Sequence, residues 1–107
     1  MSSSRYEERV LRYLENYMEV AGRVKEIVAS FDPEAEVYVF GSVVRGRYTA
    51  ASDIDILVVT ERLELKYKIM VEVYRQVEAP VELHIVNREL YEKWYKRFID
   101  PKEMVKI

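Results

Sequence analysis

From Arg5 to Phe31 apolar side chains return every three or four residues. Val10, Leu14, Tyr17, Ala21, Val24 and Val28 form one row, and Tyr6, Tyr13, Val20 and Ile27 form a second beside it. This period predicts a single long helix over 5–31, with an apolar face wider than one sheet contact requires. Asp32-Pro33 ends it, because proline disfavours helical geometry in the residue before it. Val37 to Phe40 is short, β-branched and aromatic, the pattern of a buried strand. Gly41-Ser42 then opens a brief helical turn that Gly46 can stop.

Ile54 to Val59 is almost wholly aliphatic and predicts a central strand. Leu63 to Val77 returns to helical spacing, with Met70, Val73, Tyr74 and Val77 along one face. Pro80 interrupts, and Val81 to Val86 predicts a third strand. Asn87 suits the N-cap of a last helix over 88–99, carrying Leu90, Tyr91, Trp94, Tyr95 and Phe98, which Asp100-Pro101 closes. The element order α-β-α-β-α-β-α predicts an α/β (α+β) fold with a three-stranded mixed sheet and flanking helices. The short link between the first two strands suits antiparallel pairing. The helix between the second and third suits a right-handed parallel crossover.

Composition narrows what such a fold can do. A chain of 107 residues, half of them hydrophobic, has the size and apolar content of one packed domain, 1–107, with its core over 36–86. With no cysteine, neither a disulfide framework nor a thiolate metal site is available. The net charge of -2, from 17 basic and 19 acidic residues, offers no broad basic surface and argues against general nucleic-acid binding. Met1 to Arg5 lacks the apolar core of a signal peptide, and no apolar run is long enough to cross a bilayer. A soluble cytoplasmic protein without membrane contact is expected.

The chemistry concentrates between Gly41 and Asp55. Gly41 has no side chain, so a phosphate can approach its backbone, while Ser42 adds a hydroxyl donor where the first amides of a helix are free. Such a pair alone is usually only a turn. Asp53-Ile54-Asp55 enters the second strand with both carboxylates on one side, roughly 7 Å apart along the chain. Carboxylates so placed converge on a hard cation such as Mg2+, which keeps waters and substrate phosphates in its shell. The plain alternative is that Asp53 caps a turn and Asp55 pairs with an arginine.

Together the two halves are specific. Gly41-Ser42-x-x-Arg45-Gly46, five residues, then Ser52-Asp53-x-Asp55 resembles the signature of the DNA polymerase β-like nucleotidyltransferase superfamily. The short length resembles its minimal nucleotidyltransferases (MNT). The resemblance implies a polymerase β palm-like fold and transfer of a nucleoside monophosphate, AMP from ATP, with Mg2+ or Mn2+. Gly41, Ser42, Arg45 and Ser52 would serve the nucleotide, and Asp53 and Asp55 the metal. The superfamily carries a third acid on the next strand, where Glu82 is the only acid here. Aspartate is commoner at that position, so Glu82 is a departure, and an exposed strand residue is its alternative reading. His84 shares Glu82's face and suits a phosphate, an acceptor or a proton transfer, or a purely structural role. Arg47 reads as a surface residue. Ser52 also suits a plain turn cap.

The resemblance further implies an antitoxin that neutralises a HEPN-domain protein by placing AMP on a partner hydroxyl. The sequence offers no separate segment to grip an acceptor, so a homo-oligomer or hetero-complex is expected, through the first helix or the Trp94 helix. Two alternatives stay open: transfer to a small hydroxylated molecule, and a binding module that masks its partner without catalysis.

Overall fold

The computed structural model describes residues 4–107; Met1–Ser3, the start of the expected single domain and of the segment read as lacking a leader, lie outside the described residues. The apolar rows over 5–31 fold as two helices rather than one. Helix α1 (Arg5–Glu15) opens on a capping box, with Ser4 Oγ accepting from the Glu7 amide at 3.1 Å. It stops at Asn16, whose side-chain amide donates to the Arg12 carbonyl at 2.9 Å, and α2 (Tyr17–Phe31) begins at once. Asn16 gives the backbone a competing hydrogen bond, so the chain kinks while its apolar period continues.

Strand β1 (Glu36–Phe40) is followed by the four-residue α3 (Ser42–Arg45) and by β2 (Ile54–Val59). A 3-10 turn (Leu63–Leu65) leads into α4 (Lys66–Gln76), which crosses to β3 (Val81–Val86). The buried residues of α4 are Ile69 and Val73. The expected face is therefore rotated, with Tyr74 turned partly outward so that its hydroxyl accepts the Leu83 amide on the outer edge of β3 at 3.1 Å. As expected, β2 lies antiparallel to β1 and parallel to β3.

The sheet has four strands, not three. Beyond a 3-10 turn at Pro101–Glu103, β4 (Met104–Lys106) adds antiparallel to the free edge of β1, giving the order β3-β2-β1-β4. Three residues carry no readable period, and their pairing depends on an edge more than sixty positions away. The last helix has an α segment, α5 (Arg88–Leu90), capped by Asn87, whose side chain accepts the Leu90 amide at 2.9 Å. It widens into a π turn at Tyr91–Tyr95 before α6 (Lys96–Phe98).

The two faces of the sheet differ. One carries Val37, Val39, Ile56, Val58, Leu83 and Ile85 into the main core under α2 and α4. The other carries Leu57, Val59 and Val86 against Tyr91, with Phe40 and Tyr95 partly buried beside them. Tyr91 stacks on Tyr38 with ring centroids 5.7 Å apart, whereas Trp94 and Phe98 pack on each other and stay exposed. Asp55 lies at the end of this second face. Among the described residues, no helix is long and apolar enough to cross a membrane.

Candidate active site

The site begins where β1 hands over to α3. Gly41 takes φ 89°, a backbone region open to glycine and strained for other residues. It also packs directly on the second strand: a Cβ at this position would stand 2.5 Å from Asp55 Oδ2. Glycine is thus required twice, for the turn and for room beside the carboxylate. Ser42 is the first residue of α3, where the leading amides lack intrahelical acceptors. Gly46, left-handed at φ 71°, closes the turn.

The other residues of the segment divide between architecture and chemistry. Arg45 donates to Glu103 at 3.0 Å, so it fastens α3 to the turn before β4 and reaches neither aspartate. Ser52 Oγ accepts the Thr49 amide at 3.0 Å while the Ser52 amide donates to the Thr49 carbonyl, which makes it a turn cap. Arg47 is exposed. Asp53 is exposed one residue before β2, and the Ile54 amide after it is tied to the Pro80 carbonyl at 2.7 Å.

Parallel pairing of β2 with β3 sets Asp55 directly beside Glu82 and Leu57 beside His84. Since residues two apart share a face, His84 turns to the same side as both acids. Its Nε2 lies 3.6 Å from Asp55 Oδ1 and 3.9 Å from Glu82 Oε1. Ligand atoms of these three side chains all fall within 4.8 Å of one another, and Asp53 stands outside that group. The imidazole packs against Phe40 and Tyr95, with ring centroids 5.4 and 5.9 Å away. The aromatic pair was not read from the sequence, although Phe40 precedes the glycine turn directly.

Two observations test whether a divalent cation fits here. His84 Nε2 is buried and has no hydrogen-bond partner, unusual for a polar atom that costs about 1–3 kcal/mol to leave unpaired. Around Asp55, His84 is the only basic side chain within 4 Å among the described residues. Two carboxylates and an imidazole nitrogen, none of them hydrogen-bonded to another, form a set suited to a cation. A groove of about 1030 Å³ lies elsewhere, between α1, α2 and the end of α4, and holds none of these three residues.

No curated protein shows significant similarity to this chain. Among solved structures, one candidate nucleotidyltransferase is 29% identical, with a TM-score of 0.58, over 80% of this chain and 95% of its own. Another, from Sulfolobus solfataricus, is 31% identical, with a TM-score of 0.55, over 87% of this chain and 84% of its own. The sequence model of the nucleotidyltransferase domain matches residues 21–107, from within α2 to the last residue and across every element of the site. On this evidence the chain belongs to the nucleotidyltransferase domain family.

Proposed function

We propose that this chain transfers AMP from ATP to a hydroxyl carried by a partner protein, as an MNT-type antitoxin acting on a HEPN-domain protein. The observation that carries the transfer reading is the register of the sheet: Gly41, Asp55 and Glu82 meet at one end, with no basic group among the described residues beyond His84 beside the acids. Asp55 and Glu82 would hold Mg2+ or Mn2+, with Asp53, exposed two residues before Asp55, joining them only once an ion is bound. When bound, such an ion neutralises charge on the phosphates and on the attacking and leaving oxygens.

The Gly41-Ser42 turn would carry the triphosphate tail, leaving the α-phosphorus facing the acceptor. The acceptor oxygen bonds to that phosphorus as the bond to the leaving pyrophosphate breaks, and Glu82, exposed at the rim, is placed to take the hydroxyl proton. The Trp94–Phe98 pair supports the partner half of the proposal. Both rings are exposed on the helix that also supplies Tyr95 to the site, and aromatic side chains are favoured at interface centres.

The test is incubation with ATP, Mg2+ and the partner protein, followed by mass spectrometry of the partner. Wild type should add one AMP. Glu82→Gln should lose roughly 10²–10⁴-fold in rate while keeping most ATP binding. Ser42→Ala should weaken ATP binding first. A partner that is inhibited yet unmodified would replace this account with the steric binding module.

A further inference from the structure

We infer that His84 is itself a metal ligand through Nε2, and that the site therefore favours Mn2+ over Mg2+. This inference rests on the metal reading of Asp55 and Glu82 given above, and adds to it a nitrogen donor that fixes the choice of ion.

The spacing of the three ligand atoms suits an ion between them. Ligand atoms around an ion at about 2.1 Å sit about 3 Å apart when octahedral neighbours and about 3.4 Å apart when tetrahedral. The separations of Nε2 from Asp55 Oδ1 and Glu82 Oε1, 3.6 and 3.9 Å, lie just beyond these values and beyond hydrogen-bond reach. A histidine serving only to pair an acid would stand closer to one carboxylate. Here Nε2 faces both and bonds neither, while remaining buried. An ion drawn between them needs only small side-chain rotations, and it supplies the partner the nitrogen lacks.

Ring placement supports the same role. Phe40 enters from β1 and Tyr95 from the π turn, and together they hold the imidazole over the end of the sheet. A ligand already locked in orientation loses less freedom on binding. The Tyr91–Tyr95 π turn is the element that brings Tyr95 to this position. Single-turn π segments of this kind recur at functional sites.

The chemistry follows from the donor set. Mg2+ prefers oxygen ligands and waters, whereas imidazole nitrogen suits transition-metal ions. Mn2+ accepts both kinds. A site of two carboxylates and one imidazole accordingly keeps the charge needed for phosphate chemistry and discriminates against Mg2+ through the nitrogen.

The chain has a single histidine, so the experiment needs no assignment step. Tag-free protein is loaded with one equivalent of Mn2+ and examined by pulsed electron paramagnetic resonance. Coupling to a directly bound imidazole nitrogen is expected, and in the absence of any other histidine it reports His84 alone. By titration calorimetry, His84→Gln should weaken Mn2+ at least about tenfold, since even residues that only orient ligands are worth about 10–100-fold. It should change Mg2+ much less. Mn2+ bound without nitrogen coupling overturns this inference and leaves the two-carboxylate site standing. Equal losses for both ions in a folded His84→Gln overturn the selectivity. If wild type binds neither ion, with or without ATP, both this inference and the proposed function fall.

Discussion

The two ends of the β1–β2 ladder treat a carboxylate in opposite ways. At one end, Glu36 accepts from Arg88 and from Tyr38 and lies 3.5 Å from Lys106. Those hydrogen bonds, Arg88's first, hold its carboxyl near 2, far below its usual range. Tyr38 is pushed up to about 12, by burial first and then by the bond to Glu36. At the other end, Asp55 is paired with Phe40 in the ladder and faces Glu82 and an unbonded histidine nitrogen. One carboxylate is closed by its own fold; the other has no hydrogen-bonded partner among the described residues. That contrast separates an ion pair that stabilises the fold from the site proposed above to hold a cation.

The contrast fails first if Asp55 behaves like Glu36. Asp55→Asn should cut nucleotidyl transfer at least about 100-fold, the scale expected when a group placed for the chemistry is removed. Its thermal stability should hold steady or rise by up to about 1 kcal/mol, because a like charge beside Glu82 disappears. A clear loss of stability instead would make Asp55 structural.

Gly41→Ala tests the wall of the same site. The new methyl group meets Asp55 Oδ2 and the backbone must hold a positive φ, so ATP affinity should fall about tenfold or more. Circular dichroism should show the sheet retained.

Glu36→Gln probes the closed end and should have the reverse signature, with transfer little changed and stability lower by about 1–2 kcal/mol at pH 7. The sign follows from the lowered pKa. Between its ordinary 4.5 and about 2 the unfolded chain binds more protons than the folded one. The stabilisation is complete above this window and is lost as pH falls through it. Urea denaturation at pH 7 and near pH 2 should show the two proteins converging at the acid end.

Much of this contrast was legible in the residues. Ile54–Val59 and Val81–Val86 fold over the ranges their aliphatic runs predict, because an acidic turn and Pro80 bound them. Gly41, Asp55 and Glu82 were legible as a group, since strand order and a period of two already put both acids at one end; Asp53, expected beside them, stands outside the group because it precedes the strand. What escaped is non-local. Glu103, the partner of Arg45, is 58 positions away, and the edge that Met104–Lys106 joins is as remote. The break at Asn16 is local yet hidden, because the apolar rows continue through it. His84 could be placed on the face of Glu82 from its position alone. Its buried, unbonded nitrogen depends on Phe40 and Tyr95 arriving from other elements.

The open end as a metal-dependent nucleotide site is tested most directly by calorimetry of ATP binding with and without Mn2+. Wild type should bind ATP tightly only with the ion, and the Asp53→Asn, Asp55→Asn double variant should lose that dependence while staying folded. Undiminished Mn2+-dependent ATP affinity in the double variant would contradict the assignment of these carboxylates.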